Sequence, residues 1–455
     1  MAFETANISI MEALPIELIH IISSFMPIPD LGNFRLASKD CAKASERHLV
    51  RDLHVMFTTK SFQNLLQISR HPILSQYVSS LFYEVRFLED VDQQEYMNNI
   101  LENEDFEEMY AARSVIEIAR GWTVYKPMLD EQKYMLKTSF ATCAFTQALA
   151  RFPHLKRIEM GAGYALLSAQ MTRAYAPSLA IGLMLDAGDL LDEQEPGVRA
   201  LSSLLIAASA MSGRLESLNA HSIHWSFFNP APSSLNFSRQ AFTHLRHLDL
   251  VLEADYDDFD NIDTVQARHA EFGRALRSAT ALESLHLAFD DIDIVPQSVL
   301  IQRQMNVPVV WETLTEDMAW PNLRSLELCV VTCSGADLTN FLMRHAKTLK
   351  VVKWYNIWLT ESASRWNSLF KKMQRNLKLE ELIFGGVFGA DGSDGMPQLL
   401  KMDGEFGSKL TRSILRGGRE KRRKGKRSGQ DGDGSNTPEK SEAMDELVDN
   451  VEVFS

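Results

Sequence analysis

Cys329 and Cys333 stand four residues apart at the end of a predicted strand, with no second pair nearby. A four-ligand zinc centre built on them would need distant histidines. His221 and His224, like His244 and His247, are three apart on predicted strands, which sends the two rings to opposite faces; neither pair has the H-E-x-x-H spacing of a helical zinc site. Asp257, Asp258 and Asp260 crowd together, yet 255–263 lacks the glycine and the terminal glutamate of a calcium loop. No nucleophile elbow, phosphate loop or dinucleotide fingerprint occurs. The residue types therefore assign no catalytic residue, metal or cofactor, and the expectation is a protein that is not an enzyme.

Recognition is the other chemistry on offer. An apolar skeleton L-x-x-L-x-L returns at Leu155, Leu215, Leu245, Leu282, Leu323, Leu349 and Leu379, at gaps of 26 to 60 residues, which reads as an internal repeat. The longest gap leaves room for one degenerate copy near 178–186. In a strand the fourth and sixth positions (Leu248 and Leu250, Leu285 and Leu287, Leu326 and Leu328) point one way and their neighbours the other. The outward row is then Arg157, Glu159, Ser217, Asn219, His247, Asp249, Ser284, His286, Ser325, Glu327, Val351, Lys353, Glu381 and Ile383. Its mixed charge suits protein recognition more than an apolar small-molecule pocket. The middle strands nominate His247, Asp249, His286, Glu327 and Lys353 as substrate-binding residues. Trp354, Tyr355, Trp358 and Trp366 read equally as interface anchors or as packing between strand and helix.

The elements that must carry these residues are a series of short strands, each followed by a helix-like stretch such as 265–280, 336–349 and 362–376. Stacked side by side, they give a parallel sheet lined by helices. Ahead of them, Leu14, Leu18, Ile21, Ile22 and Phe25 recur at helical spacing, Pro15 fits a first turn, and Pro27 and Pro29 end the helix. Asp30 opens a second helical segment with Leu31, Phe34 and Leu36. Three short helices in about 40 residues bury little area alone and must lean on a partner or on the rest of the chain. Seven residues of this module, Leu14, Leu18, Ile21, Ile22, Phe25, Leu31 and Leu36, thus read either as its own core or as a partner contact.

The expected organisation is a loose leader over 1–10, a helical module over 11–50, a linking strand and helices over 51–150 with an acidic segment at 88–110, repeats over 151–416, and a tail over 417–455. The acidic segment holds nine Asp and Glu and no Lys or Arg, and reads as a solvated loop and helix face. Gly and Asp dominate 385–397, which reads as a loop or the end of the fold, and a weak helix is placed at 406–416. The tail has the composition of disorder. Its run Arg419, Lys421, Arg422, Arg423, Lys424, Lys426 and Arg427 reads as a nuclear import signal, so nucleus and cytoplasm are both expected.

Residues 14–45 resemble an F-box motif of the form common in filamentous-fungus proteins. Leu14-Pro15, Glu17-Leu18 and Ile21 match its opening helix, Pro29-Asp30-Leu31 its turn, and Phe34-Arg35-Leu36 with Ser38-Lys39 its second helix. Arg51-Asp52-Leu53-His54-Val55 looks like the strand into which such proteins pass before a leucine-rich C-terminal part. The fold class this implies is α/β, a small three-helix F-box module followed by an irregular leucine-rich-repeat-like solenoid of short parallel strands and helices. The resemblance implies that Leu14, Pro15, Leu18, Ile21, Leu31 and Leu36 contact the Skp-type adaptor of a Skp–cullin–F-box ubiquitin ligase. It also implies that the repeats hold an as yet unknown protein substrate. A leucine-rich-repeat-like interaction scaffold with no ligase role remains the alternative.

Composition sets the outer bounds. Hydrophobic residues at 45% and charged residues at 24% are those of an ordinary folded chain. Four cysteines in 455 residues rule out a disulfide framework and point to a reducing compartment. A net charge of −13 argues against a surface that tracks nucleic acid. No secretory signal is readable, and the apolar stretches 178–185 and 201–211 are too short to span a bilayer.

Overall fold

A computed structural model describes residues 14–102, 114–161, 176–178, 183–185, 196–211, 213–228, 239–253, 262–289, 319–360, 364–391, 397–401 and 408–415. The leader at 1–10, the import signal and tail, and the aspartate cluster at 257–260 lie outside the described residues, as does part of the acidic segment. The chain divides into two compact units, 1–215 and 216–455. The repeats expected over 151–416 straddle the division between Leu215 and Glu216, with the strand Arg157–Gly161 in the first unit.

The first unit opens with α1 (Ile16–Ser24), α2 (Ile28–Phe34) and α3 (Lys39–Val50). Ser38 caps α3 by accepting the Cys41 N–H. The chain then enters β1 (Asp52–Met56) and α4 (Thr59–Arg70), whose N-cap Thr58 accepts the Ser61 N–H. After β2 (Ser80–Glu84), β3 (Phe87–Leu88) and α5 (Gln93–Glu102) comes the long α6 (Val115–Lys137). A reciprocal capping box between Ser114 and Glu117 starts it. The unit ends with α7 (Phe140–Leu149), β4 (Arg157–Gly161), β5 (Met184–Leu185) and α8 (Pro196–Ser209). Strands β1, β2 and β4 pair in parallel, aligning Leu53 with Leu81 and Ile158, and Val55 with Tyr83 and Met160. All six are buried, and Phe62 of α4 packs edge-on against Tyr83, Phe140 and Phe145. A degenerate repeat copy near 178–186 is not what the structure contains there: β5 pairs antiparallel with β3 in a separate two-stranded sheet.

The second unit alternates strand and helix. It runs β6 (Ser217–His224), β7 (His247–Glu253), α9 (Ile262–Ser278), β8 (Ser284–Phe289), β9 (Ser325–Cys333), α10 (Gly335–Arg344), β10 (Val351–Leu359), α11 (Ser364–Asn376) and β11 (Glu381–Gly385). Strands β6 to β11 pair in parallel in sequence order. Leu248, Leu285, Leu326, Val352 and Leu382 fall in one row, with Leu250, Leu287, Leu328, Trp354 and Phe384 in the next. All ten are buried. One residue before each strand, Arg246, Glu283, Arg324, Lys350 and Glu380 each donate a backbone N–H to the carbonyl of the preceding member of the series, starting from Glu216. Opposite charges thus meet across strands, Arg246 with Glu283 at 3.7 Å and Lys350 with Glu380 at 3.6 Å.

Two departures follow from backbone geometry. Val330 and Asn356, neighbours in β9 and β10, both take positive φ, and the strands beyond them are buried on both sides. Asn356 Oδ1 accepts the Val387 N–H at 2.8 Å, next to Gly386 at φ +75. The Gly and Asp stretch at 385–397 is consequently not a simple loop: β12 (Val387–Asp391) pairs with β10 in parallel and with β13 (Pro397–Lys401) antiparallel. Gly389 is required there because a Cβ would sit 2.1 Å from the Trp358 ring. Trp354, Trp358 and Trp366 are fully buried, and Trp366 Nε1 donates to the Gly389 carbonyl at 3.0 Å, so the packing reading of this cluster holds. A last helix occupies 408–415. The whole is mixed α/β with mostly parallel pairing.

Because Leu285 is buried between Leu248 and Leu326, Leu285→Ala should destabilise the protein by about 2–5 kcal/mol through lost transfer energy and a cavity. The midpoint of denaturant unfolding measures it; a loss under about 0.5 kcal/mol would mean that this row is not core.

Candidate functional site

Helix α1 carries two faces. Ile19 and Ser23 point inward: Ile19 packs with Cys41 and Ala44, supported by Leu14, Ile16 and Phe34, and the Ser23 hydroxyl donates to the His20 and Ala44 carbonyls. Ser45 returns a hydroxyl to the Cys41 carbonyl. This small core uses only residues 16, 19 and 23 of α1. The apolar stripe at i, i+3, i+4 and i+7, comprising Leu18, Ile21, Ile22 and Phe25, therefore faces solvent, with Phe25 84% exposed.

Leu36, just beyond α2, is 82% exposed. Of the six residues nominated for adaptor contact, Pro15, Leu18, Ile21 and Leu36 are exposed and Leu14 is half-buried. Leu31 is 1% exposed and holds α2 in place from inside. Ile22 and Phe25 belong to the same outward stripe. Five large apolar side chains open to water on one small module form a surface that costs free energy until something covers it.

The second site is the polar face of the sheet in the second unit. Parallel register puts Asp249, His286, Glu327 and Lys353 side by side on β7 to β10, two residues beyond the row of His247, Ser284, Ser325 and Val351 on the same face. His286 Nδ1 lies 2.6 Å from Asp249 Oδ1, and His221 Nε2 lies 3.3 Å from the same oxygen. Lys353 Nζ lies 3.5 Å from Glu327 Oε2. His247 is exposed beside this network. Burial works to raise the Asp249 carboxyl, but the hydrogen bonds and charges of the two imidazoles prevail and hold it well below the usual carboxylate range. For His286, burial opposes protonation, while the hydrogen bond and charge of Asp249, with Glu327 behind it, raise its pKa above the ordinary value.

Two members of this face were missed in the sequence. His221 and Cys329 each sit two residues past an outward position, Asn219 and Glu327, so the same alternation extended by one pleat finds both. Cys329 Sγ lies 3.7 Å from His286 Nε2, across strands, a distant histidine that spacing in the sequence does not single out. In the first unit, Arg157 lies 3.3 Å from Glu159 and 3.7 Å from Asp52.

Residues 11–52 match the F-box domain family, so an F-box domain is present and comprises α1 to α3. The match takes in the exposed stripe and its supporting core. No curated protein matches the chain. Among the described residues, no helix is long and apolar enough to cross a membrane.

The paired shifts give the polar face a pH signature. His286, with a raised pKa, contributes stability that is complete below about pH 6.5 and lost as pH rises through its folded value. Asp249, with a depressed pKa, contributes stability that is complete above about pH 4 and lost as pH falls through its folded value. In chelator-treated protein, the stability gap between wild type and Asp249→Asn should be widest between these limits and shrink as pH rises above about 6.5. Denaturant midpoints across that range check it; a gap independent of pH would contradict the pairing.

Proposed function

We infer that the chain is a substrate-recognition subunit of a Skp–cullin–F-box ubiquitin ligase. The observation that supports this most is the outward apolar stripe on α1 within the residues that match the F-box domain. A Skp-type adaptor would cover Leu18, Ile21, Ile22, Phe25 and Leu36, each worth about 1.5–3 kcal/mol on full burial, and through it the chain would join a cullin. The protein takes no part in bond making. It holds a protein substrate beside a conjugating enzyme that other subunits bring, which raises effective concentration and fixes orientation.

The substrate surface in this reading is the polar face bearing His247, Asp249, His286, Glu327 and Lys353. Mixed charge in a fixed row is supplied by side chains half-open to water, and neighbouring strands hold their spacing. The strand and helix units carry this face in the manner of a leucine-rich-repeat-like array, irregular in spacing. Residues 419–427 supply a nuclear import signal, placing the protein in nucleus and cytoplasm.

The double variant Leu18→Asp and Ile21→Asp changes two exposed positions, so the fold should persist while adaptor affinity falls by about a hundredfold or more. Calorimetric titration with purified adaptor measures the loss. Undiminished binding would favour the alternative, an interaction scaffold with no ligase role. Separately, Asp249→Ala with His286→Ala and Glu327→Ala should abolish capture of bait-specific proteins and leave adaptor affinity unchanged. Capture that survives this triple change but is lost when 88–110 becomes a neutral linker would move recognition to the acidic segment.

A further inference from the structure

We propose that His286, Glu327 and Cys329 bind one divalent cation of borderline-soft character, with Zn²⁺ the natural occupant. Their imidazole nitrogen, carboxylate oxygen and sulfur atoms all lie within 4.8 Å of one another. Glu327 and Cys329 are two apart on β9 and share a face, and parallel pairing sets His286 of β8 directly beside Glu327. Ala288, the residue paired with Cys329, has too small a side chain to fill the space between.

Three features fit a metal rather than an ordinary polar contact. The first is distance. With zinc at its usual separations from nitrogen and sulfur, the 3.7 Å between Nε2 and Sγ corresponds to an angle of about 115°, close to tetrahedral.

The second is the tautomer. Asp249 sits on the Nδ1 side of His286 and Cys329 on the Nε2 side, so a neutral ring that donates Nδ1–H to Asp249 would turn its Nε2 lone pair to the cysteine; a carboxylate behind a ligating histidine is the usual orienting partner in zinc sites. His221 holds that carboxylate from its other side.

The third is charge. The Asp249 and Glu327 carboxylates flank His286 from the two neighbouring strands, so a cation held there meets negative charge on both sides. On binding, the Cys329 thiol and, where the imidazole is charged, His286 Nε2 release their protons to solvent, and bonds to zinc form from S⁻, Nε2 and one Glu327 oxygen, leaving a fourth position for water.

A set of nitrogen, sulfur and oxygen donors selects zinc over the all-oxygen preference of Mg²⁺ and Ca²⁺. Lys353, 3.5 Å from Glu327 Oε2, is the competing cation. Residue identity alone concealed the site, because its two strands are separated by some forty residues and only the register unites them. The site stands whether or not the same face binds a substrate.

Co²⁺ serves as the probe on the chelator-treated full chain. One equivalent should produce a sulfur-to-cobalt charge-transfer band in the near ultraviolet, displaced by Zn²⁺. Cys329→Ser should remove the band, while Cys333→Ser and Cys143→Ser should keep it. Glu327→Gln, a change at a half-exposed side chain, should weaken affinity at least about tenfold, and Asp249→Asn by about 10–100-fold. Lys353→Ala should leave affinity equal or tighter. The absence of a stoichiometric band in the wild type, a band that survives Cys329→Ser, or an affinity unchanged by Glu327→Gln would each overturn the proposal. The last of these decides the matter even if the cysteine variant fails to fold.

Discussion

Leu248, Leu285, Leu326, Val352 and Leu382 lie side by side on neighbouring parallel strands with almost no exposure. Because side chains alternate with period two, a slip of one residue in any pair would carry a leucine into water and a charge into the core. Burial on one face therefore dictates register, and register dictates chemistry on the other. Asp249, His286, Glu327 and Lys353 meet because their neighbours must be buried, and the opposite charges that face each other at the strand starts, Arg246 with Glu283 and Lys350 with Glu380, reinforce the same alignment. A polar network held by an apolar ladder has its side chains preorganised, which lowers the ordering cost of binding either a protein or a cation.

The F-box helices obey the opposite rule. Their interior is small: Ile19, Cys41 and Ala44 cluster with a few half-buried neighbours, and Leu31, Ser23 and Ser45 are buried as well. Helices of 7 to 12 residues cannot enclose both faces of an apolar stripe. The stripe from Leu18 to Phe25 accordingly remains outside, and a small core supports a large apolar surface. That imbalance is the physical content of a docking module: the missing burial is what a docked partner would supply.

The strand ladder was legible in the sequence because leucines at period two leave little choice of register, and the helices of the second unit were legible from their apolar spacing. The seven apolar residues of the N-terminal module were legible as a set. Their sorting into inside and outside was not, since Leu31 and Leu36 share a helical pattern yet differ in exposure by the whole range. The two-residue pair β3 and β5 carries no pattern long enough to see. The hairpin of β12 and β13 was hidden by glycines that exist for contact, Gly389 under Trp358 and Gly386 beside Asn356. His221 and Cys329 escaped because the leucine phrase ends one pleat before the strands do.

The central claim is that the exposed stripe from Leu18 to Phe25, together with Leu36, meets the adaptor. Side-chain footprinting of the full chain with and without a purified Skp-type adaptor tests it directly. The account predicts strong protection of Leu18, Ile21, Phe25 and Leu36, with Asp249, His286 and Glu327 unchanged. An unprotected Phe25 in a saturated complex, or protection confined to the sheet face, would contradict it.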